Sequence, residues 1–286
     1  EGLNKKINSK EWKPDFGSSF NKKSGATAIG VRDFLIAYNI NLNTKSTRLA
    51  NAIAFDVREK GRIKRKGHPV IGEIVYDKNG NPDTIPGSLK HVKAIGWYIE
   101  EFGIAQISMN LTNITETPIH TVFEEVVKKA NARGASVTGS ELVGLIPLKS
   151  MIDAGKYFLK KQNRSIGIPE EDIIKIAIES LGLNQVKTFD PNKNIIEYYL
   201  DKITNKNGKL IDLSSRSFSD EVSRETPAPG GGSVSSYVGA LGTSLGGMVA
   251  NLSCNTRGWE NKVDIFSEKA YEINQIREKL LSLVDE

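Results

Sequence analysis

The chain has 286 residues, 38% of them hydrophobic, so it is long enough to bury one large core or two smaller ones. Its 39 basic and 34 acidic residues give a formal net charge of +5, but they interleave, and only residues 62–66 form a basic cluster. That cluster lacks the interleaved aromatic residues of a single-strand platform. We therefore expect no nucleic-acid partner, although the basic balance fits an acidic ligand.

Cys254 is the only cysteine, which excludes an internal disulfide and a CxxC or zinc-finger site and fits a reducing compartment. No basic region followed by an apolar run opens the chain, so we expect a cytoplasmic protein. The chain begins without methionine and ends inside a helical pattern. Both ends predict that it is a piece of a longer protein.

The first predicted core element is a strand over 34–42, a continuous apolar run with β-branched and aromatic members. An amphipathic helix over 45–60 follows and ends at Gly61. Residues 62–90 are rich in Gly, Pro, Asn and Lys, and Asn79-Gly80 predicts a hairpin turn within this surface excursion.

Two strands over 92–100 and 104–111 are separated by a short glycine turn and should pair as an antiparallel hairpin. The elements that follow are a helix, a strand and two further helices, over 119–134, 135–143, 148–161 and 169–181. The order strand, helix, two strands, helix, strand predicts an α+β fold. It is the split βαβ (ferredoxin-like) arrangement, an antiparallel sheet with helices on one face.

The polar stretch 205–214 predicts a domain linker, and the opening helices of an all-α domain are expected over 215–286. No residue between Glu225 and Arg257 is charged, a length that can cross a bilayer. However, its large apolar residues form one stripe at helical spacing among Gly, Ser, Thr and Asn, which favours a close-packed soluble domain. The few helices here cannot cover one another's apolar faces, so a continuation of the chain or another subunit should do so.

A glycine-rich stretch over 226–234 precedes the uncharged helix. Gly230, Gly231 and Gly232 can take backbone angles closed to other residues, and Ser233 is a good N-cap. The free N–H groups at such a helix start can hold an anion or a polar ring. A turn with a cap and no ligand is the alternative.

The histidines, His68, His91 and His120, lack the spacing of a metal pair, so we expect no metal site. His120 precedes an amphipathic helix beside Glu124 and Glu125. This pattern is compatible with a general base and also with a structural histidine at a helix start.

A second group of polar residues is predicted at a strand edge, where Ser140 and Glu141 could face a cleft. Asn39 and Arg32 could line the same cleft. A strand end with a capped turn is the alternative, and we assign no residue of the chain a catalytic role.

Several stretches resemble one enzyme family in the family's own order. Residues 12–17 (WKPDFG), 25–30, 34–42, 95–98 (IGWY), 119–125 and 139–147 (GSELVGLIP) resemble the second half of glutamate formimidoyltransferase. Residues 218–222 (FSDEV) and 227–234 (PAPGGGSV) resemble the start of the cyclodeaminase domain of formimidoyltransferase-cyclodeaminase. The resemblance covers nearly the whole chain.

The resemblance implies a domain plan and an activity. Residues 1–16 would be the tail of a preceding transferase subdomain, 17–204 the C-terminal transferase subdomain, 205–214 the linker and 215–286 the start of a truncated cyclodeaminase domain. The parent would transfer a formimino group from N-formimino-L-glutamate to tetrahydrofolate in histidine degradation. It would then cyclodeaminate 5-formiminotetrahydrofolate to 5,10-methenyltetrahydrofolate and ammonia.

The resemblance also implies tetrahydrofolate as co-substrate, with a polyglutamate tail, no metal, no membrane, and a homo-oligomer in the intact protein. The family's transferase histidine would precede Glu1 and its cyclodeaminase acid would follow Glu286, so this chain alone should show little or no turnover. The alternative is a non-catalytic module that binds folate or assembles subunits.

The folate loop implied by the resemblance consists of Gly17, Ser18, Ser19, Phe20, Asn21, Lys22, Lys23, Ser24 and Gly25. An aromatic ring can stack on a pterin, hydroxyls can bond its polar edges, and lysines can meet glutamyl carboxylates. A plain solvated loop is the alternative from composition alone. Arg32 is a further candidate for the same ligand, and the stretch of Gly230 to Ser233 is a possible second folate site.

Overall fold

A computed structural model describes residues 7, 9–17, 21–68, 71–204 and 210–286. The chain divides into two units, residues 1–33 and residues 34–286. In the first unit, Lys10–Trp12 forms a 3₁₀ turn. Asn21 closes a second turn, because its Oδ1 accepts from the backbone N–H groups of Lys23 at 2.9 Å and Ser24 at 3.1 Å.

The second unit contains the remaining elements. The strands are β1 (Ile36–Leu42), β2 (Arg62–Ile63), β3 (Arg65–Lys66), β4 (Glu73–Ile74), β5 (Thr84–Ile85), β6 (Val92–Ile99), β7 (Ile104–Leu111) and β8 (Val137–Val143). The helices are α1 (Thr47–Val57), α2 (Ile119–Asn131), α3 (Leu148–Lys161), α4 (Glu170–Leu181), α5 (Pro191–Asn194), α6 (Ile196–Thr204), α7 (Ser215–Val222), α8 (Gly231–Cys254) and α9 (Val263–Ser282).

The main sheet has four strands in the order β6-β7-β1-β8, and every neighbouring pair is antiparallel. With α1 and α2 as the two crossovers, this is the predicted split βαβ arrangement, so the α+β prediction is confirmed. The hairpin predicted at Asn79-Gly80 is also present. Tyr76 bridges Pro82, and Gly80 takes a positive φ of 78° between them.

The main core lies between the sheet and helices α1 and α2. Because side chains alternate across a strand, one face of β1 supplies Ile36, Tyr38, Ile40 and Leu42, all with no exposed surface. These residues share one apolar cluster with Ile53 and Val57 of α1 and Val122 and Val126 of α2. Burial of this kind contributes about 1.5–3 kcal/mol for each large side chain.

Helix α1 also closes the outer edge of strand β6. The side-chain amide of Asn51 accepts from Gly96 N at 3.0 Å and donates to Gly96 O at 2.9 Å. A Cβ at Gly96 would lie 2.2 Å from the backbone nitrogen of Asn51, so only glycine allows this approach. Two further carbonyls of this edge accept from α1 and its end: Ala94 O from Arg58 at 3.4 Å and Val92 O from Glu59 N at 3.0 Å.

Helices α3 and α4 lie beyond the other sheet edge, next to β8. They cross closely, since a Cβ at Gly155 would lie 2.2 Å from Ile173 O. Ser140 of β8 joins the end of α4 twice, because its N–H donates to Gly182 O at 2.9 Å and its Oγ donates to Leu181 O at 2.6 Å. Three acidic residues occupy the first turn of α4, where the helix dipole favours negative charge.

Helices α8 and α9 pack against each other as a helical hairpin, and small residues of α8 line the contact. Gly239 faces Leu280, and Gly246 and Gly247 face Ile273. The large apolar side chains of α8 point elsewhere and stay 50–63% exposed: Val238, Leu241, Leu245, Met248, Val249 and Leu252. Among the described residues, the apolar face of α8 is therefore left largely uncovered, as predicted. No described helix is long and apolar enough to cross a membrane.

A set of contacts that we call the seam joins the helical hairpin to the segment between α3 and α4. Asn251 accepts from Ser165 Oγ at 2.6 Å and donates to Gly167 O at 2.7 Å. Ser267 Oγ accepts from Ile166 N at 2.9 Å. Of the predicted linker 205–214, residues 205–209 lie outside the described residues, and Leu210–Asp212 forms a 3₁₀ turn.

Candidate functional site

The face of the sheet opposite α1 and α2 carries polar side chains on its inner strands. Strand register places Asn39 of β1 between Ser108 of β7 and Glu141 of β8, and Asn41 opposite Gln106. Asn39, Asn41 and Gln106 expose 4%, 0% and 0% of their surface. Buried amides of this kind are stable only when they are hydrogen-bonded, so their partners define the site.

These side chains form one hydrogen-bonded group, which we call the polar face. Glu141 Oε2 accepts from Asn39 Nδ2 at 3.2 Å and from Gln106 Nε2 at 3.4 Å. Gln106 Nε2 also donates to Asn41 Oδ1 at 2.6 Å, and Gln106 Oε1 accepts from Trp97 Nε1 at 3.2 Å. The amides therefore fix the position of the Glu141 carboxylate and of the Trp97 ring.

Glu141 forms none of the ion pairs identified among the described residues. Its carboxylate is held by neutral amides and is half-buried, so it keeps acceptor capacity for N–H groups of a ligand. On strand β6, at the opposite edge of the sheet from Glu141, Ile95 and Trp97 remain 57% and 45% exposed. A polar floor with an apolar and aromatic rim is typical of a site for a small organic molecule.

Ser140 and Glu141, which were predicted to face one cleft, lie on opposite faces of strand β8. Consecutive strand residues point to opposite faces, and only Glu141 lies on the polar face with Asn39. Ser140 is fully buried on the other side, where its hydroxyl bonds Leu181 O. Its predicted position in a cleft is wrong.

The predicted folate loop and Arg32 belong to the first unit. Ser18, Ser19 and Phe20 lie outside the described residues. Gly17 and Gly25 take positive φ values of 80° and 72°, a conformation that glycine adopts readily. The remaining loop members, Asn21, Lys22, Lys23 and Ser24, form the turn closed by the Asn21 side chain, and Arg32 Nη1 donates to Asp33 O at 3.1 Å.

The glycine-rich stretch before α8 differs from its prediction in two respects. Gly230 is the N-cap and the helix begins at Gly231, so Ser233 lies inside the first turn and its predicted N-cap role is wrong. None of Gly230, Gly231 and Gly232 takes a positive φ. Gly231 and Gly232 have open space where a Cβ would stand, so the first turn of α8 is accessible.

His120 lies at the start of α2, on the helix side of the sheet. Its ring stacks on Tyr157 with centroids 4.5 Å apart. Burial lowers the pKa of His120, while the charges of Asp153 and Glu124 oppose that shift. This stacked and partly buried position favours the structural alternative over a general base.

The other two histidines contact residues outside the polar face. His91 Nε2 lies 2.8 Å from Glu116, and His68 Nδ1 accepts from Ile71 N at 3.3 Å. Among the described residues, no group of three or more His, Cys, Asp or Glu side chains is arranged to hold a metal ion.

Sequence reasoning missed Asn41, Gln106 and Trp97. The available signal was the alternation of polar residues inside apolar strands, since Asn39 and Asn41 interrupt the run 34–42 at every second position. Asn41 also donates to Gln185 Oε1 at 2.7 Å, a contact between residues 144 positions apart. No local pattern predicts a pair at that separation.

Two family models match the chain, one after the other. Residues 37–201 match the family model described as "Formiminotransferase domain", and residues 214–286 match the model "Formiminotransferase-cyclodeaminase". The chain is 41% identical over 270 residues to formimidoyltransferase-cyclodeaminase of Dictyostelium discoideum, covering 94% of this chain and 46% of that protein.

Further relatives extend the similarity to other organisms. The chain is 40% identical over its full length to formimidoyltransferase-cyclodeaminase of Gallus gallus, of which it covers 49%. It is 36% identical over 179 residues to glutamate formimidoyltransferase of Thermoplasma acidophilum, covering 63% of this chain and 50% of that protein. The chain thus spans about half the length of the curated relatives it matches. With both family models matched in order along its length, the chain belongs to the formiminotransferase-cyclodeaminase family.

Proposed function

We propose that this chain is part of a bifunctional folate enzyme of histidine degradation. The parent transfers the formimino group of N-formimino-L-glutamate to tetrahydrofolate and then cyclodeaminates 5-formiminotetrahydrofolate to 5,10-methenyltetrahydrofolate and ammonia. Support comes from the two family matches and from the names of the relatives, which carry both activities. The observation within the chain that carries the proposal is the polar face, with Glu141 held by Asn39 and Gln106.

The chemistry of the polar face suits a reduced pterin. A pterin edge presents an N–H and an exocyclic amino group side by side, and a carboxylate accepts such a pair with two parallel hydrogen bonds. Glu141 is the carboxylate available for this contact. Trp97 offers an aromatic surface on strand β6 of the same sheet face, and Gln106 holds the Trp97 ring in place. The folate loop 17–25 and Arg32 are proposed, from the family resemblance alone, to bind folate.

Binding, rather than proton transfer, is the proposed contribution of the polar face. The acid or base of formimino transfer must reach N5 of the folate or the departing glutamate nitrogen, and histidine is the usual residue for this work. None of the described histidines takes part in the hydrogen-bonded network of Glu141. Little or no turnover by this chain alone stays a prediction.

Other parts of the proposal depend on the family resemblance. The accessible first turn of α8 at Gly230 to Ser233 is proposed as part of a second folate site, because its free N–H groups favour an anionic or polar group. A polyglutamate tail on the folate, a cytoplasmic location and a homo-oligomeric parent are proposed on the same basis. The alternative function, a module that assembles subunits, is favoured by the exposed apolar stripe of α8.

A titration of the chain with 5-formyltetrahydrofolate tests the proposed folate site. We expect saturable binding that tightens with the number of glutamates on the ligand. Glu141→Gln should weaken it about tenfold, because a charge-assisted hydrogen bond contributes about 1.5–3 kcal/mol. Glu179→Gln, a change of an exposed carboxylate on α4, is the matched control and should leave affinity unchanged.

Equal binding by the Glu141 variant and the control would remove the polar face from the folate site. A parallel assay for formimino transfer separates binding from catalysis. Turnover by the chain alone would contradict the prediction that this chain alone shows little or no formimino transfer.

A further inference from the structure

A cavity lies between α1 and the short strands that follow it, away from the polar face. Its volume is about 410 Å³, within the range of small-molecule sites. The lining contains four arginines and no acidic residue: Arg48, Asn51, Ala52, Phe55, Arg58, Arg62, Ile63 and Arg65. We call it the arginine pocket. It includes part of the basic cluster 62–66, to which the proposed folate site assigns no role.

Two of the arginines are fixed in position without losing their charge. Arg58 donates from Nε to Gly61 O at 2.9 Å and from Nη1 to Ala94 O at 3.4 Å, and its guanidinium lies 4.0 Å above the Phe55 ring. Arg65 Nη1 donates to Gly72 O at 2.8 Å. Carbonyl groups orient a guanidinium but do not neutralise it. Each of these two guanidinium groups is therefore fixed in orientation and keeps its positive charge.

One carboxylate near the pocket is shared between two arginines. Arg62 forms an ion pair with Asp56, and Arg133 Nε lies 2.5 Å from the other oxygen of the same carboxylate. Burial lowers the pKa of Arg62, and the charge of Arg133 lowers it further. Burial also lowers the pKa of Arg58. Partly desolvated cations with too few counter-charges are stabilised when an anion binds.

Arg48 occupies an unfavourable position for a cation in a purely structural role. It is the second residue of α1, and a positive charge in a first helical turn opposes the helix dipole. Its side chain is exposed and makes no ion pair identified among the described residues. In the pocket, the same charge adds to those of Arg58, Arg62 and Arg65.

We propose that the arginine pocket binds a small polyanion with two or more carboxylate or phosphate groups on a flat or apolar body. Guanidinium forks match both kinds of oxyanion geometry. Phe55, Ile63 and Ala52 supply the apolar floor for the body of the ligand. The site is distinct from the polar face, because α1 packs on the opposite side of the sheet.

Calorimetric titration at low salt with three probes tests the proposal. The probes are citrate, benzene-1,3,5-tricarboxylate and inorganic pyrophosphate. We expect saturable binding, tighter for the aromatic tricarboxylate than for citrate because both carry three carboxylates and only one has a flat ring. The ranking of the aromatic tricarboxylate against pyrophosphate distinguishes a carboxylate ligand from a phosphate ligand.

Arg48→Gln is the test variant, and Lys128→Gln on the exposed side of α2 is the control with the same loss of charge. Arg48→Gln should weaken binding of the best probe about tenfold, as the loss of one charge-assisted contact predicts. Its melting temperature should stay equal or rise, because the charge opposed the helix dipole. A fall in affinity without a fall in stability identifies a binding residue.

Four results would overturn the proposal. The first three are no saturable binding of any probe, equal weakening by Arg48→Gln and Lys128→Gln, and equal affinity for citrate and the aromatic tricarboxylate. The second would mean a general positive field, and the third would mean that the apolar floor takes no part. A single-stranded oligonucleotide that competes more strongly than any probe would assign the cluster to nucleic acid instead.

Discussion

Tyr157 covers one face of the His120 ring, and the partial burial of this pair determines what protonation of His120 does to the fold. Burial is the main cause of the lowered pKa of His120, and it outweighs the opposing charges of Asp153 and Glu124. The folded protein therefore resists a proton that the unfolded chain accepts near the ordinary histidine pKa of 6.5. Protonation must favour unfolding.

Replacing His120 with phenylalanine should flatten the dependence of stability on pH. The contribution of His120 is fully present above the unfolded pKa of 6.5 and is lost as pH falls toward the lower folded pKa. His120→Phe keeps a ring against Tyr157 and lacks the proton site. Urea unfolding at several pH values between about 5 and 7 measures the free energy of unfolding of both proteins.

The two curves should run parallel above pH 6.5 and converge or cross below it. A parent protein that loses no more stability than the variant on acidification would show that the opposing carboxylates dominate.

Single residues also mark the limit of sequence reasoning about the site. Glu141 and Ser140 are neighbours with similar hydrogen-bonding capacity, and their opposite directions depend on the phase of β8. That phase is fixed by the pairing of β8 with β1, which places Glu141 opposite Asn39. A stretch with no clear apolar alternation does not predict its own register. The pairing therefore had to be observed.

At the scale of elements, two glycines in helices should respond in opposite ways to alanine. Gly155 of α3 is where α4 crosses, and a Cβ there would lie 2.2 Å from Ile173 O. Gly155→Ala should destabilise the protein by about 1–3 kcal/mol, since the helices must move apart. Gly242 of α8 has open space around it, so Gly242→Ala should stabilise its helix by about 0.5–1 kcal/mol.

Thermal unfolding of both variants beside the parent protein checks this pair. A rise in melting temperature for both would mean that helix propensity dominates and that the α3–α4 crossing can relax.

Long, periodic elements were predicted well, and short ones held by distant contacts were not. Helix α3 was predicted over 148–161 and has those bounds, because its apolar residues repeat at helical spacing. Helices α5 and α6 were missed. Glu197 of α6 accepts from Leu148 N at 2.7 Å and so caps α3, and Ile195 bridges Ile146. Short helices that depend on such distant partners carry little local signal.

For the second unit as a whole, the seam decides whether the sheet domain and the helical hairpin behave independently. Asn251 bonds to Ser165 and Gly167, and a Cβ at Gly167 would lie 2.2 Å from that of Ala270. This close contact and the two hydrogen bonds of the Asn251 side-chain amide hold the two parts in one arrangement. When the seam is weakened, we expect the helical hairpin to open more readily while the sheet domain keeps its own protection.

Asn251→Ala should lower the free energy of local opening of α8 and α9 by about 1–2 kcal/mol, because two hydrogen bonds to the sheet domain disappear. Native-state hydrogen exchange measures this, and protection in β1 should stay unchanged. Asn255→Ala is the matched control one turn later, because the Asn255 side chain donates to Asn251 O of its own helix. Equal loss of protection in both variants would assign the effect to helix α8 itself.

Helix α1 covers the outer edge of strand β6 and so limits how the sheet can pair with a strand of another molecule. The outer carbonyls of Val92, Ala94 and Gly96 already accept hydrogen bonds from Glu59, Arg58 and Asn51. At the opposite border, Ser140 of β8 is occupied by the end of α4. A strand from another chain would find these groups taken at both borders, so the sheet resists growth into edge-to-edge aggregates. Contacts with partner molecules must then be made by side chains rather than by backbone pairing at these edges. Substitutions on such side-chain surfaces can change partner selectivity while the sheet edges stay covered.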